Sequence, residues 1–209
     1  MKTIGVSKVG LNSAVFYQNL LNKLDFSEFM HVENVNFEKS YDYILFDGGA
    51  DVSPRYYNEQ NICSYIDEFR DEYEIAIFNK YKNTPTKFAG ICRGHQLLNV
   101  LYGGTLYQNL SDYFLAHKSY HTITINQNAN SILKDILPSI TEVNSLHHQA
   151  VKKLAYNLYP IAFETITGVV EIYGEEHDKV RAVQFHPEFY QAFPYTKEIL
   201  EWLFGFFTK

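Results

Sequence analysis

Three side chains in this sequence are of the types that nucleophilic acyl transfer requires: Cys92, His186 and Glu188. A cysteine attacks a carbonyl as the thiolate, so it needs a base to hold its proton and a third group to orient that base. Cys92 ends an apolar run in Phe88-Ala-Gly-Ile-Cys92-Arg-Gly-His-Gln96, with Gly90 and Gly94 two residues to either side and an amphipathic stretch over 97–101 following at once. The pattern predicts a strand, a tight turn and a helix. A cysteine on such a turn has a strained backbone that points its sulfur out of the sheet, and the helix N-terminus behind it favours the thiolate. A lone cysteine is by default a buried structural residue. The glycine pair and a second motif downstream reverse that reading. The second motif is Gln184-Phe-His-Pro-Glu188. Two residues at a spacing of two share a side at an extended strand end, so Glu188 can accept from one ring nitrogen of His186 while the other faces Cys92.

The elements that must position these groups are readable in outline. The sequence predicts short strands over 2–6 and 31–37, with a helix over 13–24 between them, and a buried strand over 43–46 ended by Asp47-Gly48-Gly49. Two glycines at the carboxyl end of a parallel strand mark a close approach of backbone to ligand. A helix is expected over 62–81, with Ile66, Phe69, Tyr73, Ile77 and Tyr81 on its apolar face and Arg70, Asp71 and Glu74 one turn apart. Further strands are expected over 121–126, 159–163, 167–173 and 179–184, the last three as an antiparallel meander. Short and terminal helices are expected over 131–137 and 196–207, the latter with Ile199, Leu200, Leu203 and Phe206 inward. Early strand–helix alternation followed by a meander predicts an α/β fold with a mostly parallel central sheet and an antiparallel extension.

Composition narrows the function. The chain has 209 residues and 46% hydrophobic content, which suits one globular domain spanning 1–209. Its net charge is -6 with no basic block, which argues against nucleic acid as a partner because phosphate contacts need clustered Lys and Arg. Two cysteines, Cys63 and Cys92, are too few for a disulfide framework. A nucleophilic thiol needs a reducing compartment. The first residues carry too short an apolar run for a signal peptide, and no stretch reaches the length of a membrane span. A cytoplasmic protein with no membrane partner is expected. His31 reads as a surface residue. His117 and His121 lack a second ligand pair at zinc-like spacing, so no metal and no cofactor is expected.

Taken together, the motifs resemble the class I glutamine amidotransferase superfamily and, more narrowly, its gamma-glutamyl hydrolase branch, which includes the gamma-glutamyl-gamma-aminobutyrate hydrolases. The marks are Gly48-Gly-Ala-Asp-Val-Ser-Pro54, Arg70-Asp71 with Glu74, Gly90-Ile-Cys-Arg-Gly-His-Gln96, Leu98-Asn99, Gly103-Gly-Thr-Leu-Tyr-Gln108, Asn144-Ser-Leu-His-His-Gln-Ala150 and Phe185-His-Pro-Glu188. The resemblance implies a three-layer, flavodoxin-like fold and a Cys92–His186–Glu188 triad, with the amides of Gly49 and Arg93 as oxyanion donors and Gly48 and Gln96 at the substrate. It gives Arg70, Asp71 and Glu74 a structural role behind the pocket. It also places the 144–150 loop beside the glutamyl group, with Ser145, His147 or His148 holding its alpha-carboxylate or amine. The expected partner is a small gamma-glutamyl amide, cleaved through a thioester to release L-glutamate. The leaving amine stays open: a larger amine in the hydrolase branch, or ammonia if the chain is the glutaminase of a synthase. Compactness and composition are similar to the gamma-glutamyl-CDP-amidate hydrolases of Campylobacter capsular phosphoramidate synthesis. That would make cytidine diphosphoramidate the leaving group, with Tyr56 stacking on its base and Arg55 facing its phosphate. A non-catalytic binding module of the same fold is disfavoured by the complete set of three catalytic types.

Overall fold

The computed structural model of the protein describes residues 4–7, 28–30, 38–113, 120–189 and 195–205. The expected helix over 13–24, the expected strand over 31–37, His31 and His117 lie outside them. The central sheet has nine strands among the described residues: β1 (Ile4–Ser7), β2 (Glu28–Met30), β3 (Tyr43–Phe46), β4 (Lys87–Ile91), β6 (Tyr120–Ile125), β7 (Ile140–Asn144), β9 (Leu158–Glu164), β10 (Val170–Glu175) and β11 (Val180–Val183). Their order is β2-β1-β3-β4-β11-β10-β9-β6-β7. From β2 to β11 the pairs are parallel; from β11 to β7 they are antiparallel. The expected meander is therefore the start of the antiparallel half. A separate two-stranded sheet joins β5 (Thr105–Tyr107) to β8 (Ala150–Lys153).

Strand alternation divides the interior into two cores, one on each face of the sheet. On β3, Tyr43 and Leu45 enter one core while Ile44 and Phe46 enter the other. The first core is closed by α3 (Leu133–Ile136) and α4 (Thr196–Leu203), whose Leu133, Ile199, Leu200, Trp202 and Leu203 face it. The second is closed by α1 (Glu68–Tyr81), through Ile77, Phe78 and Tyr81, and by α2 (Arg93–Leu101), through Leu97, Leu98 and Val100. Helices on both faces of a mixed, mostly parallel sheet make the three layers expected from the alternation of elements. No described helix is long and apolar enough to cross a membrane.

The main departure from the sequence reading is the start of the expected helix over 62–81, where 62–67 are not helical. Asn61 accepts from the Ser64 amide at 2.8 Å and bends the chain. Asp51 then holds the next stretch extended, its carboxylate accepting from Tyr65 N and its own amide donating to Tyr65 O, both at 2.8 Å. The helix begins only at Glu68, with the Asp67 side chain accepting from Arg70 N as an N-cap. Its inward face also differs. Phe69 is exposed, and the first buried turns carry Arg70, Asp71 and Glu74 instead.

Candidate active site

The carboxyl ends of β3, β4 and β11 lie side by side, because β4 pairs in parallel with both of the others. In an α/β sheet this is where ligands bind. β4 runs straight into α2 with one residue between them, and that residue is Cys92, at φ 51 and ψ -103. A side chain at positive φ is a strained state that surrounding structure must impose. Here the Cys92 amide donates to Val183 O at 2.9 Å and its carbonyl accepts from Gln96 N at 3.2 Å. The turn is tight enough that a Cβ at Gly94 would overlap the carbonyl of Phe46, while one at Gly90 would come within 2.7 Å of the Gly94 carbonyl. The two glycines are what let the helix start seat against the sheet.

His186 follows β11. Its Nδ1 lies 2.5 Å from Glu188 Oε1, and its ring is hydrogen-bonded to Cys92. Burial lowers the imidazole pKa, but the hydrogen bonds that the ring donates to Cys92 and Glu188, with their charges, outweigh it and push the value up to about 11. The ring is thus held as imidazolium at neutral pH, the charge partner that a thiolate needs. Glu188 is itself buried. Asn144, at the end of β7, fixes the histidine backbone from another strand: its Nδ2 donates to His186 O and its Oδ1 accepts from His186 N, both at 2.8 Å. Phe189 lies against the imidazole with ring centroids 5.4 Å apart.

Residues 47–49 form the third wall. A Cβ on Gly48 would fall 2.7 Å from His186 Cε1 and 3.7 Å from Cys92 Cβ. Behind this loop sits a fully buried ionic cluster. Arg70 donates through Nη2 to Asp47 O at 2.9 Å, through Nη1 to Gly48 O at 2.8 Å and through Nε to Glu74 Oε1 at 2.9 Å. Arg93 donates to Glu74 and, at 2.5 Å, to Asp71 Oδ1, and Ser7 Oγ donates to Glu74. Asp71 also accepts from Ser53 N at 3.0 Å. Burial alone would raise the Glu74 carboxyl pKa; the guanidinium groups of Arg93 and Arg70 overcome that and hold it below the ordinary carboxylate value.

The other residues singled out in the sequence fall in different places. Gln96 is buried, donating to Gln149 O at 3.0 Å and Gln184 Oε1 at 3.1 Å. Ser145 is buried beside Asn144. His147 points inward, with Nδ1 2.8 Å from Gln149 O and Nε2 3.8 Å from Glu171. His148 is the outward one of the pair, with Nε2 3.1 Å from both oxygens of Asp51. This ties the 144–150 loop to the loop that follows Gly49. Arg55 lies over the Tyr56 ring at 4.7 Å and pairs with Glu72 at 3.0 Å and Glu68 at 3.5 Å. Its guanidinium therefore faces α1 carboxylates. Cys63 is exposed. Among the described residues no group of three or more His, Cys, Asp or Glu is arranged to hold a metal ion. Two features escaped the sequence reading: the Asn144 clamp and the grip of Arg70 on the 47–48 carbonyls. The clamp joins residues far apart in the chain, and only the position of Asn144 at the start of the expected substrate loop hinted at it.

Known proteins resemble this chain in sequence and in fold. The model of the Peptidase C26 family matches residues 32–188. A glutamine amidotransferase-like protein of Lactococcus lactis, YvdE, is 37% identical over 169 residues, covering 75% of this chain and 70% of that protein. The gamma-glutamyl-gamma-aminobutyrate hydrolase PuuD of Escherichia coli is 29% identical over 154 residues, covering 66% of this chain and 60% of that one. Among solved structures, a GMP synthase protein of Thermoplasma acidophilum superposes with a TM-score of 0.74 over 98% of this chain and 93% of that chain, at 17% identity, a likeness of fold.

Proposed function

This chain belongs to the Peptidase C26 family of class I glutamine amidotransferase-like proteins, and from that premise we propose that it is a cysteine hydrolase of gamma-glutamyl amides. One observation carries the reading: His186 lies beside the strained Cys92, both against Gly48, with its Nδ1 2.5 Å from the carboxylate of Glu188. The Cys92 thiolate attacks the gamma-carbonyl carbon, and the carbonyl oxygen takes up the negative charge. The Gly49 and Arg93 amides donate to that oxygen, each typically contributing about 2.7–4 kcal/mol to the transition state. His186 gives its proton to the leaving nitrogen as the C–N bond breaks, leaving a thioester on Cys92. Water, losing a proton to His186, then attacks the thioester; L-glutamate leaves and the thiolate returns. Glu188 keeps the ring oriented through both halves.

The leaving amine is the finer part of the proposal. Likeness to the hydrolase PuuD supports an amine larger than ammonia. The nucleotide amide rests on the resemblance alone, with Arg55 and Tyr56 as its expected contacts, and a diphosphate would have to displace Glu72 and Glu68 to reach Arg55. Gamma-glutamyl-CDP-amidate therefore stands as one member of a substrate panel with gamma-glutamyl-gamma-aminobutyrate and glutamine. The test is glutamate release from each, for wild type, Cys92→Ala and Cys63→Ser. Wild type and Cys63→Ser are expected to be active on a substituted amide and Cys92→Ala inactive. Activity surviving in Cys92→Ala, or no glutamate from any amide, refutes the proposal. Glutamine as the sole substrate moves the chain to the glutaminases.

A further inference from the structure

The buried Arg70–Glu74–Arg93 cluster is not explained by stability. Buried ion pairs often contribute no more than apolar residues of the same shape would. What sets this one apart is the direction of its outer guanidinium. Arg70 holds two consecutive carbonyls, those of Asp47 and Gly48, while its Nε is fixed on Glu74. The described peptides contain no cis bond, and in a trans peptide the C=O and the following N–H point to opposite sides. With Gly48 O turned onto Arg70, the Gly49 N–H faces away from Arg70. Gly48 itself lies against His186 and Cys92. The peptide is flanked by two glycines, so little in its own torsions resists rotation. Gly49 already sits at φ 150. Without the guanidinium, that peptide could turn its carbonyl toward the nucleophile and its N–H away.

We propose that Arg70 and Glu74 are positioning residues that latch the Gly48–Gly49 peptide with its N–H toward the oxygen developing on the substrate. Glu74 is the common point. It accepts from Arg70 on one side and from Arg93 on the other, and the amide of Arg93 is the other proposed donor. One carboxylate thus sets both halves of an oxyanion hole while touching no substrate. The inference rests on the Cys92 hydrolase reading.

The test separates orientation of the hole from the nucleophile and from binding. Glutamate release gives kcat and KM; alkylation of Cys92 by iodoacetamide reports the thiolate without forming an oxyanion; inhibition by the gamma-aldehyde of glutamate reports a hemithioacetal whose oxygen needs the hole. Arg70→Met should lose roughly 10²–10³-fold in kcat, the loss typical of one missing donor. KM and the alkylation rate should hold, and aldehyde inhibition should weaken in parallel with kcat. Glu74→Gln should move the same readouts in the same direction. Arg70→Lys should also lose kcat and aldehyde affinity, because an ammonium lacks the planar fork that spans two carbonyls and a carboxylate; it carries the test if Arg70→Met does not fold. A fall in alkylation equal to the fall in kcat, or unchanged aldehyde inhibition, overturns the inference. A wild type that releases no glutamate overturns the functional reading with it, whereas variants with wild-type kcat overturn the latch alone.

Discussion

Replacing Asn144 by alanine removes both hydrogen bonds to the His186 backbone at once, the donor to its carbonyl and the acceptor from its amide, each 2.8 Å long. Each bond is worth on the order of 1 kcal/mol net, and a partly buried backbone group left unpaired adds to the loss. The expected destabilisation is about 2–3 kcal/mol, which for a chain of this size lowers the melting temperature by about 4–12 °C. The larger effect should be on turnover. His186 follows β11 by three residues, and Asn144 reaches it from another strand; in the variant only the 3.3 Å bond from Phe189 N to the His186 carbonyl remains on its backbone. A displacement of about 1 Å at a reacting group can cost on the order of 10²-fold in rate. The assay is kcat for glutamate release well below the melting temperature, paired with the pH dependence of Cys92 alkylation, which reports whether His186 still faces the sulfur. A folded Asn144→Ala protein with wild-type kcat and a wild-type alkylation profile would show that the clamp is packing, not positioning.

Other outcomes follow from the same geometry. Glu188→Gln keeps an acceptor for His186 but removes its charge, so the imidazolium pKa should fall from about 11; the alkaline limb of kcat/KM should move to lower pH, and an unmoved limb contradicts the assignment. Because that folded pKa lies above the ordinary 6.5, its contribution to stability is complete below 6.5 and declines as pH rises toward 11, which pH-dependent melting checks. His95 is the opposite case: burial lowers its pKa from 6.5 to about 3. The unfolded chain therefore binds the extra proton, and stability should decline by up to about 1.4 kcal/mol per pH unit as pH falls through that window. His95→Phe should flatten the acid side of the melting profile. Gly94→Ala would drive a methyl into the Phe46 carbonyl, and its denaturation midpoint and Cys92 alkylation should both fall.

The strand–turn–helix around Cys92 was legible because its signals are local: an apolar run, two glycines at fixed offsets and an amphipathic continuation. The same holds for β3 and for the meander, whose apolar runs become largely buried strands. The start of α1 was not legible. Ile66 and Phe69 keep helical spacing with Tyr73 and Ile77, yet the Asn61, Asp51 and Asp67 side chains bind backbone amides and decide where the helix begins. β5 and β8 pair across a long stretch of chain, so neither segment carries the signal alone. By spacing alone Arg70, Asp71 and Glu74 look like a solvated helix face; the family resemblance implied a structural role behind the pocket, but not their partners, two carbonyls and a second arginine. At the site, residue types near the catalytic cysteine were readable, whereas the separation of His147 from His148 and the pairing of Arg55 with Glu72 depend on which way neighbouring elements turn them.

β11 is parallel to β4 on one side and antiparallel to β10 on the other, with Val183 opposite Ile91 and Cys92 N bonded to Val183 O. That pairing is the ruler that measures the distance from nucleophile to base. Cys92 comes one residue past its ladder position and His186 three past its own. Loops between the two strands that lie away from α2, β10 and the Asn144 clamp can lengthen or shorten without changing that offset. A single residue inserted within β11 cannot be absorbed in this way. It would advance the histidine by about 3.3 Å and turn the strand's side chains to the other face. The reaction centre thus tolerates length changes in those loops and almost none within these four residues.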